Sequence, residues 1–389
     1  MPDIGRAGAH DRRDLGPADV PDDELAAMVA ALWGVPAVEL LGSATSPVAY
    51  DVPSITTASR TWVTGTADAG AGPREFRLFV KHVHRFDRSP FFATVPPEVR
   101  TFATIALPWE AEALVYRSDL AARLPDGLGM PRCLAVHDLD EGSRSIWLEA
   151  LDPVPGPWSD AEYAEAARLL GRLSGSPEVA GLAALDPHVW HVDLMVAGRL
   201  KHGVIPPLLD DDLWRHPALA GTYGPVLRDR LLDAAARVDD VAAEFAALPT
   251  AASHGDACPG NLLRVPGRDG LVLIDFQFWR PQPLGHDLGQ LLAGDLQLGT
   301  RPALTTEEVA DLDELILRAY LDGLAEEGAD ADPHVVRRGH AVSMMLFVAL
   351  PSVPVELLES VPADRLAALA TARAALATYC CDLLDATAS

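Results

Sequence analysis

Residues Ser253–Phe276 read SHGDACPGNLLRVPGRDGLVLIDF, and the fold class and the chemistry of the chain both follow from this stretch. Asp256 is followed by Asn261 at the fifth position, and Asp275 closes the apolar run Leu271–Ile274. Val272, Leu273 and Ile274 lie between a glycine turn and an acid, which predicts a short buried strand. Such a strand carries Asp275 to the rim of a cleft, with Asp256 and Asn261 on the loop before it. One acid to take a hydroxyl proton and two oxygen donors for a divalent cation form the set that phosphoryl transfer to a hydroxyl requires. The plainer alternative is an Asx turn followed by a strand-end acid, with no chemistry attached.

The pattern extends beyond the strand. His254-Gly255-Asp256, Asn261, Ile274-Asp275-Phe276 and then Leu284-Gly285-His286-Asp287-Leu288-Gly289 together resemble the signature of the aminoglycoside phosphotransferase and choline kinase superfamily. The resemblance implies an α+β, bilobal, protein-kinase-like fold. Its N-lobe has a five-stranded antiparallel sheet plus one helix, and its C-lobe is mainly helical. It implies ATP and Mg²⁺ as cofactors, Asp256 as the catalytic base, and Asn261 and Asp275 as metal ligands. His254 then braces the loop, and Asp287 fastens it through backbone N–H groups.

Upstream, Phe76-Arg77-Leu78-Phe79-Val80-Lys81 reads as a strand that ends on a lysine suited to nucleotide phosphates. Its acidic partner is expected on the stretch Trp109–Tyr116, where the family pattern E-x-x-x-Y selects Glu112. Glu110, two residues away, faces about 200° from it on a helix. Strands are expected near 47–55, 60–67, 75–84, Cys133–His137 and Ser145–Glu149. The passage Ile146–Leu151 resembles the segment that holds adenine by backbone groups, which makes Glu149 and Leu151 nucleotide-binding candidates. Ser54–Arg60, where a glycine-rich phosphate loop is expected, contains no glycine. That gap supports an alternative function, a catalytically silent nucleotide-binding pseudokinase or regulatory module.

Three spans follow: a polar segment and helix over 1–45, the nucleotide-binding lobe over 46–151, and the catalytic lobe over 152–389. Residues up to about 20 read as mobile, and Pro21 opens a helix through Leu25, Met28, Val29 and Leu32. Ser159 with Glu162, and Thr305 with Glu308, form capping-box patterns that start two C-lobe helices. A terminal alanine-rich helix begins near Asp364. The tract 180–250 carries Trp190, Trp214, Tyr223 and Asp210-Asp211-Asp212, which read as pocket-shaping residues or as a solvated helix start.

Thirty-one basic against fifty-six acidic residues give a net charge of −25. That balance disfavours nucleic acid and anionic membrane surfaces as partners and favours a cationic small-molecule hydroxyl substrate, an amino sugar or antibiotic above all. Glu307, Asp311, Asp313, Glu314 and Asp322 are candidate ammonium ligands or a solvated helix face. The four cysteines have no metal or disulfide spacing, and Cys380-Cys381 falls in an apolar helical pattern. No histidine cluster supports a metal-dependent hydrolase. No stretch reads as a signal core or as long enough to span a membrane, so a cytoplasmic location is expected.

Overall fold

The computed structural model describes residues 10–49, 54–186 and 192–388. Trp190 and the middle of the expected strand at 47–55 lie outside these. The chain divides into two compact units, Met1–Ala121 with Met130–Asp152, and Ala122–Gly129 with Pro153–Ser389.

The first unit is built on a six-stranded sheet. In spatial order its strands are His10–Asp11, Glu39–Pro47, Thr57–Asp68, Pro73–His84, Ser143–Glu149 and Cys133–Asp140. The last five pair antiparallel, as the sequence predicts, while His10–Asp11 adds a short parallel edge. Strand alternation divides the residues of Pro73–His84 between two faces. Phe76, Leu78 and Val80 join Leu25, Val29, Val63 and Trp147 in one core, against the helix Asp22–Trp33. Lys81, one step out of phase, turns to the opposite face. Where one inserted helix was expected there are two short ones, Arg100–Ala106 and Ala111–Arg117.

Two N-terminal expectations need correction. The segment from His10 to Val20 is anchored, because Arg12 bonds Asp19, Asp22, Ser43 Oγ and the Val20 carbonyl at 2.7–2.8 Å and is 8% exposed. The sequence looked like a tail because the anchor's partners lie up to thirty-one residues away. The first long strand is Glu39–Pro47, and it ends where strand texture was expected to begin. Gly42, Ser43 and Ala44 resemble a linker, but their small side chains suit a strand that His10–Asp11 pairs with and that Arg12 must approach.

The second unit is mainly helical. Both capping boxes form, starting Asp160–Gly175 at Ser159 and Thr306–Glu326 at Thr305. Leu271–Leu273 pairs antiparallel with Leu262–Leu263 and parallel with Leu128–Gly129. Thr250–Ser253 pairs antiparallel with Arg280–Pro283. Trp214 and Tyr223 are buried, their polar tips donating to the carbonyls of Leu208 and Ser352 at 2.8 and 2.9 Å. Asp211 and Asp212 pair with Arg228 and Arg215 on the surface.

Two helical stretches do reach spanning length, contrary to expectation. Pro333–Leu357 and Ala363–Ala386 have windows of mean hydropathy 1.5 and 1.2, of which 72% and 67% is buried inside the unit. They are core helices, apolar because they are packed on most sides.

Candidate active site

In the first unit, Lys81 Nζ donates to Glu112 Oε2 at 2.5 Å, and both residues are 3% exposed. A buried pair of this kind depends on close geometry, since each ion alone loses several kcal/mol of hydration. Glu110 faces elsewhere and pairs with Arg144 at 2.7 Å. Glu149 ends its strand opposite Leu78, and its carboxylate accepts the Arg132 N–H at 2.7 Å. Leu151 follows outside any strand or helix, half-buried, two residues beyond the last ladder pair. Thr57–Arg60 pairs along Val83–Lys81, so most of the expected phosphate-covering turn is strand. Of the expected turn, only Ser54–Thr56 lies outside that strand.

In the second unit, the loop after Ser253 is held from beneath by one buried acid. Asp287, 2% exposed, accepts from the N–H groups of His254 and Gly255 at 2.9 and 2.8 Å and from Ser253 Oγ at 2.8 Å. Gly255 has φ +81°, and a Cβ there would stand 2.2 Å from the Phe278 carbonyl oxygen. Glycine is therefore required on both conformational and steric grounds.

His254 is fully buried and ties the loop to the strand end. Its Nδ1 accepts the Asp256 N–H at 3.3 Å, which leaves the proton on Nε2 to bond the Ile274 carbonyl at 2.9 Å. Its ring lies 5.2 Å from that of Phe276.

Asn261 Nδ2 donates to the Asp256 carbonyl at 2.9 Å and to Asp256 Oδ2 at 3.1 Å, so the amide oxygen turns away from Asp256. The Asn261 carbonyl accepts the Ile274 N–H at 3.1 Å, which locks the loop to the Asp275 strand. Asp275 has φ +61°, the only non-glycine residue with positive φ among those described. Such a conformation carries strain of roughly 1–3 kcal/mol and is typical of functional sites.

Burial is the main reason the Asp256 carboxyl is pushed up to about 6. The negative charges of Asp275 and Asp287 add to the shift, and His254 and Asn261 oppose it. The loop therefore has negative charge in excess around one half-buried carboxyl. The Cys258 thiol, pushed up to about 12 by burial, is inert as a nucleophile.

The donors present suit magnesium. Among the described residues no three His, Cys, Asp or Glu side chains gather at metal spacing. Mg²⁺ takes one or two carboxylates and fills its octahedron with water and phosphate oxygens. Asp275 and the outward oxygen of Asn261 are hard donors of that kind, beside acids whose mutual repulsion a cation would relieve.

Sequence reasoning missed two buried networks. Asp313, taken for a surface or ligand acid, is 1% exposed and bonded to His340 at 2.7 Å and to the Tyr379 hydroxyl. Its position between Leu312 and Ile316 on the buried stripe was the available signal. Trp279 Nε1 donates to the Leu182 carbonyl at 2.8 Å, a contact that no local pattern announces.

No curated protein matches the chain. Among solved structures, an amicoumacin kinase bound to AMP-PNP, Ca²⁺ and its ligand is 13% identical, with TM-score 0.48, covering 86% of this chain and 88% of that one. A choline/ethanolamine kinase family protein from Mesorhizobium loti is 16% identical, with TM-score 0.40 and coverage of 86% and 91%. An aminoglycoside phosphotransferase in complex with ADP and hygromycin B is 13% identical, with TM-score 0.42 and coverage of 94% and 99%. The model of the phosphotransferase enzyme family matches residues 69–337, more than half of the sequence, and the chain belongs to that family of small-molecule kinases.

Proposed function

We propose that the protein transfers the γ-phosphate of ATP to a hydroxyl of a small molecule in the presence of Mg²⁺. The observation that carries this reading is the mutual lock of Asp256 and Asn261, which sets a carboxylate of raised proton affinity beside an outward amide oxygen. Asp256 orients the acceptor hydroxyl and takes its proton, late in a loose transition state. Asn261 and Asp275 would hold Mg²⁺, which when bound neutralises charge on the phosphate oxygens. Lys81, oriented by Glu112, engages the α- and β-phosphates, and the backbone of Glu149 and Leu151 meets the adenine. His254 and Asp287 keep the loop in place and do not touch the reacting atoms.

The finer acceptor class has less support. The acidic balance favours an amino sugar or antibiotic in bulk, but Asp313 is taken up in the core and Glu314 pairs with Arg337 and Arg318. Glu307, Asp311 and Asp322 remain exposed. The absence of glycine from Ser54–Arg60 favours the silent pseudokinase as a second reading.

One assay separates the two. ATP consumption is measured with Mg²⁺ against amino sugars, other antibiotics, amino alcohols, sugars and hydroxy acids, with Asp256→Ala as the blank. Turnover lost in the variant supports transfer. Mg²⁺-dependent nucleotide binding with no turnover on any acceptor supports the silent module, and no nucleotide binding at all rejects both.

A further inference from the structure

The core of the first unit ends in a histidine pair that phosphoryl transfer leaves unused. On the strand Pro73–His84, Phe76, Leu78 and Val80 face that core. His82 and His84 continue the same alternation, so both imidazoles leave the strand on that face. Their ring centroids are 6.3 Å apart, with the planes at 62°. His84 is 8% exposed, and His82 is half-buried.

Neither ring is satisfied. The Nε2 atoms of both are shielded from water and have no hydrogen-bond partner. Ser145, opposite His82 on the neighbouring strand, is 0% exposed, and its hydroxyl also lacks a partner. Buried polar groups are nearly always bonded, so three such atoms in one patch call for a ligand or an ordered water.

The ring chemistry favours a metal. The His84 ring bonds the Ile55 backbone carbonyl. With Nε2 unpartnered, that proton lies on Nδ1 and the Nε2 lone pair is free. A carbonyl on one ring nitrogen and an open lone pair on the other is how metal-binding histidines are held. Burial lowers the proton affinity of both rings, which keeps them in the neutral form that ligates.

The charges around the pair cancel. Arg88 and Asp140 act on His82, and Arg88 and Asp87 act on His84. Arg88 bonds Asp140 at 2.7 Å, and Asp87 bonds Arg85 at 2.6 Å. His137, on the far side of Ser145, is taken up by Glu24 at 3.3 Å.

We propose that His82 and His84 together bind one transition-metal ion of the imidazole-preferring class, represented by Zn²⁺, through their Nε2 atoms. Water and the Ser145 hydroxyl complete the shell. Zn–N bonds of about 2.0–2.1 Å place two rings on one tetrahedral ion with centres roughly 5 Å apart, so the pair closes by roughly 1 Å on binding. Mg²⁺, a hard ion that takes oxygen donors, is not the occupant. The site is independent of the transfer reading. An ion there braces the strand of Lys81 from the face opposite the lysine.

The test is calorimetry with Zn²⁺ on the full chain, stripped with chelator and held in excess Mg²⁺ so that sites of oxygen donors are filled. One Zn²⁺ should bind per chain, and His82→Gln and His84→Gln should each weaken that binding about tenfold or more. His334→Gln, which removes an exposed imidazole of the second unit, should leave it intact. Co²⁺ added to the native protein should give the strong visible bands of a four-coordinate site with nitrogen ligands. If His84→Gln folds poorly, His82→Gln and the Co²⁺ spectrum decide. No Zn²⁺ binding at micromolar concentration, binding weakened in only one of two folded variants, or a Co²⁺ spectrum of the weak octahedral type overturns the site.

Discussion

The two units hold a key carboxylate in opposite ways. Glu112 in the first has Lys81 at 2.5 Å, so charge cancels within the pair and the acid contributes to the fold. Asp256 in the second has Asp275 and Asp287 adding to its charge, and its carboxyl is pushed up to about 6. One acid is stabilised where it stands, while the other is kept at a cost in stability. The difference separates positioning from reactivity: removing the first should unfold, and removing the second should inactivate.

The sharpest break is therefore Asp256→Asn. Turnover should fall about a hundred- to ten-thousandfold, the range for loss of a positioned acid–base group. The same change should raise the stability of the protein in chelator by about 1–2 kcal/mol, because it removes a charge penalised first by burial and then by the neighbouring acids, discounted for solvent screening. Activity assays beside denaturant melts check both. A variant that is inactive and also destabilised would remove the distinction drawn here.

Glu112→Gln should do the reverse in stability. It leaves Lys81 without that counter-charge at a 3% exposed site, where breaking one side of a buried pair costs about 3–5 kcal/mol. A melt unchanged from the native protein would mean that the lysine relaxes to another partner.

What could be read from sequence follows the range of the interactions. Asp256, Asn261 and Asp275 fall within twenty residues and are joined by local bonds, so their pattern was legible. The helices starting at Ser159 and Thr305 were legible for the same reason, since a capping box closes over four residues. Arg12 with Ser43, Asp313 with Tyr379 and Trp279 with Leu182 span 31, 66 and 97 residues, and no local spacing encodes them. Glu39–Pro47 was misplaced because the small residues of this strand have the composition of a loop.

Asp287 belongs to the anchored side of the comparison although it lies within the catalytic segment. Asp287→Asn exchanges a carboxylate that accepts from three donors for an amide with one acceptor oxygen. The expected loss is about 3 kcal/mol, from backbone N–H groups left unpaired in a buried site. Hydrogen exchange at His254 and Gly255 checks the cause, since protection there should fall before protection elsewhere does.

The neighbouring His286 extends that anchorage to pH. It is buried between the rings of Phe245 and Phe347, its Nδ1 is 3.2 Å from Ser343 Oγ, and burial pushes its pKa down to about 4. Its folded pKa lies below the unfolded value near 6.5, so the unfolded chain takes up a proton that the folded one refuses. Stability should accordingly fall as pH drops from about 6.5 to 4, by roughly 2 kcal/mol from this group. In the His286→Phe variant that part of the pH slope should vanish, whatever the variant's absolute stability.

The smallest effect belongs to the acid that sequence alone nearly confused with Glu112. Glu110 pairs with Arg144, whose guanidinium also reaches Asp138 at 2.5 Å and lies 5.1 Å from the Trp109 ring centroid. Arg144 keeps these partners when Glu110 is lost, so Glu110→Gln should cost under about 1 kcal/mol. It should also leave the KM for ATP unchanged, whereas Glu112→Gln should raise it, because only Glu112 holds the lysine proposed to meet the phosphates. Equal effects of the two substitutions on KM would show that the helix as a whole matters for nucleotide binding, and that the single ion pair does not.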